Sequence, residues 1–194
     1  MQRVKSKTLG RQNIYTPDKY EKAAWAIIKP YLEAATPMQK HLWAGRMNPN
    51  DVYTPGIDLL LSDQNTSVAT AHVLYWMLGA PWFVCFRSSS ELPVDDWFQR
   101  KNFERLRNIE HKIEENFFTD HGISFDVMSS CWEGCKPNDY PEKEVLRPIP
   151  SFMLSPVEGH LEADWVNSDC QEEGLPEVVA VAIHNAYKNM ANDQ

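Results

Sequence analysis

Two cysteines, Cys131 and Cys135 in the sequence CWEGC, have the residue type and spacing that come closest to a metal site. A structural zinc ion needs four sulfur or nitrogen ligands, which are usually supplied by two close pairs. Cys170 or His160 would have to complete the set, because the sequence has no second close pair of cysteines. The pattern therefore favours ordinary reduced thiols, and we expect neither a bound metal nor a cofactor.

His72 is the residue that could act as a general base, because imidazole changes its charge near neutral pH. It lies in the sequence VATAHVLYWML, on the apolar face of a predicted helix. A histidine in that position is more often hydrogen-bonded inside the core than catalytic. We therefore expect His72 to be a core residue and keep the catalytic role as the alternative.

The segment Glu110-His111, followed by Glu114-Glu115, contains the ligand types of a di-iron helical bundle. Such a bundle needs matching Glu-x-x-His pairs on other helices, and the sequence has none. Phosphate-binding glycine loops, HExxH pairs, GxSxG elbows and basic-aromatic RNA-binding patterns are also missing. We expect no nucleic-acid partner and no catalytic residues. Acid–base carboxylates remain open, because such pairs have no fixed spacing in a sequence.

The elements that must position these side chains are predicted to be helices. Thr16-Pro17 and Thr36-Pro37 both combine an N-cap residue with a proline at the first helical position. Pro30 should kink or end the first helix, and the second should close near Gly45. GIDLLLSD predicts a short helix or a buried apolar turn, whereas WFVCF is compatible with a strand or a helix.

Three later segments follow helical periodicity. Ser67 or Thr66 is expected to cap a helix that ends near Leu78 and is apolar over most of its circumference, hence central. The polar run before it is interpreted as capping and not as catalysis. An apolar stripe in the next helix consists of Phe103, Leu106, Ile109, Ile113 and Phe117. LPEVVAVAIHNAYKNM predicts a terminal helix with Pro176 near its first turn.

The fold class that follows is mainly α. We expect a flexible basic arm at residues 1–14 and a single compact helical domain at 15–194. Within it, residues 119–174 are predicted to be loop-rich, because glycines and prolines interrupt them, with a short strand at ISFDV.

Charge is distributed unevenly along the 194 residues, whose formal net charge is -8. Residues 1–50 carry nine Lys/Arg and three Asp/Glu, whereas residues 151–194 carry one Lys/Arg and eight Asp/Glu. An acidic surface is unsuited to DNA and suited to a basic protein partner. Solvated charge that maintains solubility is the alternative explanation.

The partner-binding residues are predicted within this acidic end. They are Glu158, Glu162, Asp164, Trp165, Asp169, Glu172 and Glu173, with Trp132 as a further aromatic anchor. The turn-rich loop after the second helix is the alternative binding loop, through Asn48, Asn50, Asp51 and Tyr53. Tryptophan is enriched among the residues that dominate interface energies, and complementary charge speeds encounter.

Residues 39–126 contain an ordered series of short motifs: HLWA at 41–44, NPND at 48–51, IDLLL at 57–61, TA…LYW at 70–76, IE at 109–110 and ISFD at 123–126. In this order they resemble a bacterial family known as domain-of-unknown-function family 4274. The sequence departs from the family pattern at Met47-Asn48-Pro49 and at Ser62. The resemblance implies a small, mainly helical cytosolic bacterial protein, similar in type to the accessory proteins that block polymorphic or contact-dependent toxins.

These observations predict a non-catalytic binding protein, most specifically an immunity-type inhibitor that occludes a toxin's active site with an acidic surface. The alternatives are a small enzyme in which His72 meets carboxylates from the Asp51–Asp63 region, and a regulatory interaction domain. A flat or convex acidic face would favour the inhibitor, and a concave pocket with convergent polar groups would favour the enzyme.

The expected location is the cytoplasm. The basic N-terminal residues are not followed by the apolar segment of a secretion signal. No apolar run approaches the length that crosses a bilayer, so we expect no contact with a membrane.

Overall fold

The computed structural model describes residues 17–48, 54–93, 95–129, 136, 138–140, 142–165 and 172–192. The helices of these residues are α1 (Lys19–Ala34), α2 (Pro37–Arg46), α3 (Thr54–Ser62), α4 (Val68–Met77), α5 (Ala80–Phe83), α6 (Trp97–Glu114), α7 (Ser151–Leu154) and α8 (Glu177–Asn192). Short 3-10 turns occur at Ser89–Glu91 and Glu172–Gly174. The fold is mainly α, as the sequence predicts.

The N-termini of α1 and α2 both form capping boxes. In α2 the Thr36 hydroxyl accepts a hydrogen bond from the Gln39 amide, and the Gln39 side chain accepts one from the Thr36 amide. This confirms the predicted start. The predicted N-cap of α1 is wrong, because Asp18 is its N-cap, and the helix does not end at Pro30 but continues to Ala34. Asp18 and Glu21 satisfy each other's backbone amides, which is the pairing that fixes the start.

Helix α4 lies at the centre of the molecule and packs on α2, α5 and α6. Every residue from Ala69 to Trp76 is buried, including His72, as expected for a helix that is apolar on most sides. On the other side of the core, α1 packs against α3 and α8. The core is therefore shared among helices from both ends of the chain.

The polar run before α4 does not cap the helix as predicted. Ser67 occupies the N-cap position, but its buried hydroxyl makes no capping hydrogen bond. The Val68 amide donates instead to the carbonyl of Thr119, and the Thr119 amide donates to the carbonyl of Thr66. The backbone after α6 takes over the capping role, so the run ties α4 to the segment that begins at residue 119.

Candidate functional site

Two chain segments, residues 122–126 and 157–161, hold each other by backbone hydrogen bonds. Phe125 and Val157 exchange two bonds, of 2.9 Å and 2.8 Å, and the Ser124 amide donates to Leu161 at 2.9 Å. A Cβ atom at Gly159 would lie 2.5 Å from the Gly122 carbonyl oxygen, so only glycine allows this approach. The pairing consists of isolated bridges, which is the form that the predicted ISFDV strand takes.

A concave pocket of about 420 Å³ lies where these segments meet. Its described lining consists of Ser124, Phe125, Asp126, Ser129, Pro156, Val157, Glu158, Glu162, Ala163 and Trp165. Three of these residues are carboxylates and none is Lys or Arg. The volume is within the range of ligand pockets, roughly 300–1,000 Å³. The described lining therefore has a negative charge.

The polar side chains of the pocket are of two kinds: hydroxyl groups that already donate to backbone carbonyls, and carboxylates that are available to accept hydrogen bonds. The Ser124 hydroxyl donates to the Leu161 carbonyl at 3.2 Å, and the Ser129 hydroxyl donates to the Asp126 carbonyl at 3.1 Å. Glu158 and Glu162 are exposed, and within the described part of the chain they form no ion pair or hydrogen bond. The uncommitted lining groups thus accept hydrogen bonds, which suits a donor-rich cation.

His41 lies behind the aromatic wall of the pocket. Its ring is fully buried on α2, with centroids 5.2 Å from the Trp165 ring and 6.2 Å from the Phe125 ring. Nδ1 is 3.2 Å from the Thr70 hydroxyl, and Nε2 has no hydrogen-bond partner among the described residues. Burial lowers the pKa of His41 to about 4, so the ring is neutral at physiological pH.

Arg46, also on α2, donates to the Trp165 carbonyl. Helix α2 thereby positions one side of the pocket.

The structure brings together some of the predicted partner-binding residues. Glu158, Glu162 and Trp165 all line the pocket, and Asp164 is exposed beside them. Glu173 is half-buried in the turn that packs on α2, apart from the lining. Asp169, the Glu172 side chain and Trp132 lie outside what the structure describes. At Glu158 and Glu162 the acidic surface is concave, which is the shape expected of the enzyme alternative and not the flat or convex face expected of the inhibitor.

The alternative binding loop is described only at its start. Asn48 is exposed after the end of α2. Asn50, Asp51 and Tyr53 lie outside the described residues, so their assignment stays a prediction.

The proposed His72-carboxylate site does not assemble from the residues that the structure describes. His72 is buried in α4, and burial lowers its pKa to about 4. Asp58 forms a two-bonded ion pair with Arg105, and Asp63 pairs with Lys40 at 3.1 Å. Burial opposes ionisation of Asp63, but the Asn65 amide and Lys40 outweigh it and lower its pKa. These carboxylates stabilise contacts between helices and are committed to cations.

The candidate metal ligands that the structure describes do not form a metal site. Within the described ranges, no group of three or more His, Cys, Asp or Glu residues could hold a metal ion. Glu110 is buried and bonded to Tyr75, Arg107 and Arg147, whereas His111 and Glu115 form an exposed pair at the C-terminal end of α6. Cys131, Cys135 and Cys170 lie outside the described residues, and the thiol assignment stays a prediction.

Sequence reasoning missed Asp126, Ser129 and His41 as parts of this site. Asp126 lies within the predicted strand ISFDV, and that strand was the one available signal. Nothing in the sequence connects Asp126 to Glu158, because the connection is made by backbone bonds that carry no side-chain pattern.

Comparison with known proteins adds no relative. No family model, curated protein or solved structure matches the chain. Among the described helices, none has both the length and the apolar composition that spanning a bilayer requires.

Proposed function

We propose that this protein is a non-catalytic binding protein, and more specifically an immunity-type inhibitor of a bacterial toxin. The observation that carries the proposal is the negative charge of the surface at Glu158 and Glu162, and not its concave shape, which by itself favours an enzyme. Exposed carboxylates of Glu158 and Glu162 flank a concavity whose wall contains Trp165. No Lys or Arg occurs in the sequence between Glu158 and Glu177. An uncompensated acidic surface with an aromatic anchor suits a basic protein surface.

The mechanism proposed is occlusion. Toxins that act on nucleic acids or phosphates need basic clefts, and an acidic protein seated in such a cleft excludes the substrate. Long-range attraction acts over a Debye length of about 8 Å at physiological salt, so it accelerates encounter before contact forms. The resemblance of residues 39–126 to family 4274 supports a bacterial, cytoplasmic setting. That family membership is part of the proposal.

The test is capture of a partner by wild-type protein and by two charge-reversed variants. Glu158→Lys with Glu162→Lys reverses the pocket, and Glu142→Lys with Glu144→Lys makes the same charge change at other exposed positions. Proteins are captured from lysates of the source organism and identified by mass spectrometry. We expect a basic protein to be retained by wild type and by the control variant, and lost by the pocket variant. Loss with both variants equally would indicate net charge alone and contradict the assignment to the pocket.

The inhibitor function is then tested with the captured protein itself. Its expression should arrest growth, and co-expression of the wild-type chain should restore growth. Co-expression of the pocket-reversed variant should not. A partner that binds but is harmless would contradict the toxin assignment and favour the regulatory interaction domain.

The concavity favours an enzyme as the second candidate, because a concave pocket with several polar groups is the usual form of an active site. Asp126, Glu158 and Glu162 would provide acid–base chemistry beside Trp165. Hydrolysis of nitrophenyl glycosides or esters by the wild type, abolished by Glu158→Gln or Glu162→Gln, would support this reading. If neither substitution changes the rate of hydrolysis, the activity does not arise in the pocket.

A further inference from the structure

The described carboxylates of the pocket do not form a metal site. No cluster of three or more metal-ligating side chains in the described parts of the chain is placed to hold a single ion. Asp126 Oδ1 already accepts a hydrogen bond of 2.9 Å from the Met128 amide, which fixes the turn beside the pocket. A ligand that uses the remaining acceptors of Glu158 and Glu162 must present hydrogen-bond donors.

The aromatic wall narrows the choice of cation. Trp165 is half-buried and held from behind, by the His41 ring and by the bond from Arg46 to its carbonyl. A planar guanidinium stacks on aromatic rings and donates up to five hydrogen bonds in a fixed fork, whereas an ammonium is a strongly hydrated point charge. Carboxylates beside a fixed aromatic ring consequently select a guanidinium over an ammonium.

We infer that this pocket receives an arginine side chain of the protein partner, whose guanidinium pairs with Glu158 and Glu162 and packs against the wall formed by Trp165 and Phe125. The inference deepens the proposed function and rests on it, because the proposed function is what makes the partner a protein. It identifies arginine as the residue type with which the partner contacts the pocket. It also predicts that the isolated chain binds a free arginine derivative, which can be measured before the partner is known.

The experiment titrates N-acetyl-arginine amide into the isotope-labelled full chain and follows amide and indole resonances by NMR. Saturable shifts are expected at residues 124–126 and 157–165 and at the Trp165 indole. The neutral isostere N-acetyl-citrulline amide should produce none, and N-acetyl-lysine amide should bind more weakly. Glu158→Gln and Glu162→Gln should each weaken arginine binding by about tenfold, as expected for loss of one charge-assisted hydrogen bond.

The matched control is Glu142→Gln with Glu144→Gln, which removes two exposed carboxylates elsewhere. Its affinity for the arginine probe should stay within about twofold of wild type, because neither side chain lines the pocket and exposed charges are screened by salt. Absence of saturable shifts in wild type, equal shifts with citrulline, or equal losses in pocket and control variants would each overturn the inference.

This result is distinguishable from failure of the proposed function. If arginine does not bind but the partner is still captured through Glu158 and Glu162, the inhibitor proposal stands and the pocket inference fails. If arginine binds as expected and no protein partner is captured, the guanidinium site stands and the inhibitor proposal fails.

Discussion

At the scale of single residues, Glu110 shows how this core accommodates charge. Its carboxylate is buried on α6 and receives the Tyr75 hydroxyl at 2.9 Å, together with Arg107 and Arg147 at 2.9 Å each. Burial, reinforced by the Glu110 charge, raises the pKa of Tyr75 far above its ordinary value. Burial lowers the pKa of Arg107, although Glu110 opposes the effect. The carboxylate thus satisfies groups from α4, α6 and the segment that contains Arg147.

Replacing Glu110 should therefore destabilise the protein strongly. Glu110→Ala leaves two arginines without their carboxylate and a buried tyrosine hydroxyl without its acceptor. We expect the free energy of unfolding to fall by about 3 kcal/mol. Urea denaturation followed by circular dichroism measures it.

Glu104→Ala is the matched control, because Glu104 is an exposed glutamate on the same helix. Its effect should stay within about 0.5 kcal/mol. Equal effects of the two substitutions would show that the Glu110 cluster contributes nothing beyond helix propensity.

At the scale of elements, the turn Glu172–Gly174 is pressed against α2. Gly174 has φ +73°, and a Cβ atom there would lie 2.7 Å from the Trp43 Cα and 3.0 Å from the Leu42 carbonyl oxygen. Because backbone atoms cannot move away as a flexible side chain can, only glycine permits this contact. The approach places the acidic end of the chain beside α2, the helix that also carries His41 and Arg46.

Two glycine substitutions separate backbone strain from this contact. Gly79 has a similar φ of +81°, but a Cβ atom there would meet nothing within 4 Å. Gly79→Ala should cost about 1 kcal/mol for the left-handed conformation. Gly174→Ala should cost a further 1–3 kcal/mol or so, because the turn must move off α2.

Thermal or urea denaturation of both variants provides the measurement. Tryptophan fluorescence should also change for Gly174→Ala, because Trp43 lies at the contact. Equal destabilisation by the two substitutions would contradict the close packing of the turn on α2.

At the scale of the whole molecule, two neutral histidines are buried in the core, His41 on α2 and His72 on α4. Burial lowers the pKa of His41 and of His72 from the ordinary value of 6.5 to about 4. Between these values the unfolded chain binds protons that the folded chain does not. Stability therefore falls as pH falls from 6.5 towards 4, with no loss from this source above 6.5. Asp63, whose lowered pKa starts from 3.8, acts only at more acidic pH.

The free energy of unfolding should consequently drop by about 2 kcal/mol for each histidine between about pH 7 and pH 5. Urea denaturation at several pH values gives the slope. His72→Gln should remove about half of the drop, whatever its effect on stability at neutral pH.

His184→Gln provides the control, because His184 is an exposed residue of α8, and this variant should retain the wild-type slope. A His72→Gln profile parallel to wild type would contradict the assignment of the pH dependence to buried neutral histidines.

Local sequence signals predicted most of the elements. The Thr36-Pro37 start, the helix across Trp97–Glu114 and the terminal helix after Pro176 all depend on capping, periodicity and proline geometry, which act within a few residues. The same rules failed where a distant partner replaced the local one. Thr119 supplies the acceptor that Ser67 was expected to supply. At α1 the difference is local, because Asp18 and Glu21 form the capping box that starts the helix.

The candidate site follows the same division. The sequence alone determined that Glu158, Glu162 and Trp165 belong to an acidic segment without a compensating cation, because composition along the chain is a property of the sequence. Only the tertiary structure decided that this segment faces Asp126 across a concavity, with His41 behind its aromatic wall. Backbone pairing between residues 122–126 and 157–161 brings them together, and backbone hydrogen bonds are the same for every residue type except proline. For that reason the carboxylates could be counted from the sequence, whereas the shape of the surface that they form depended on the fold.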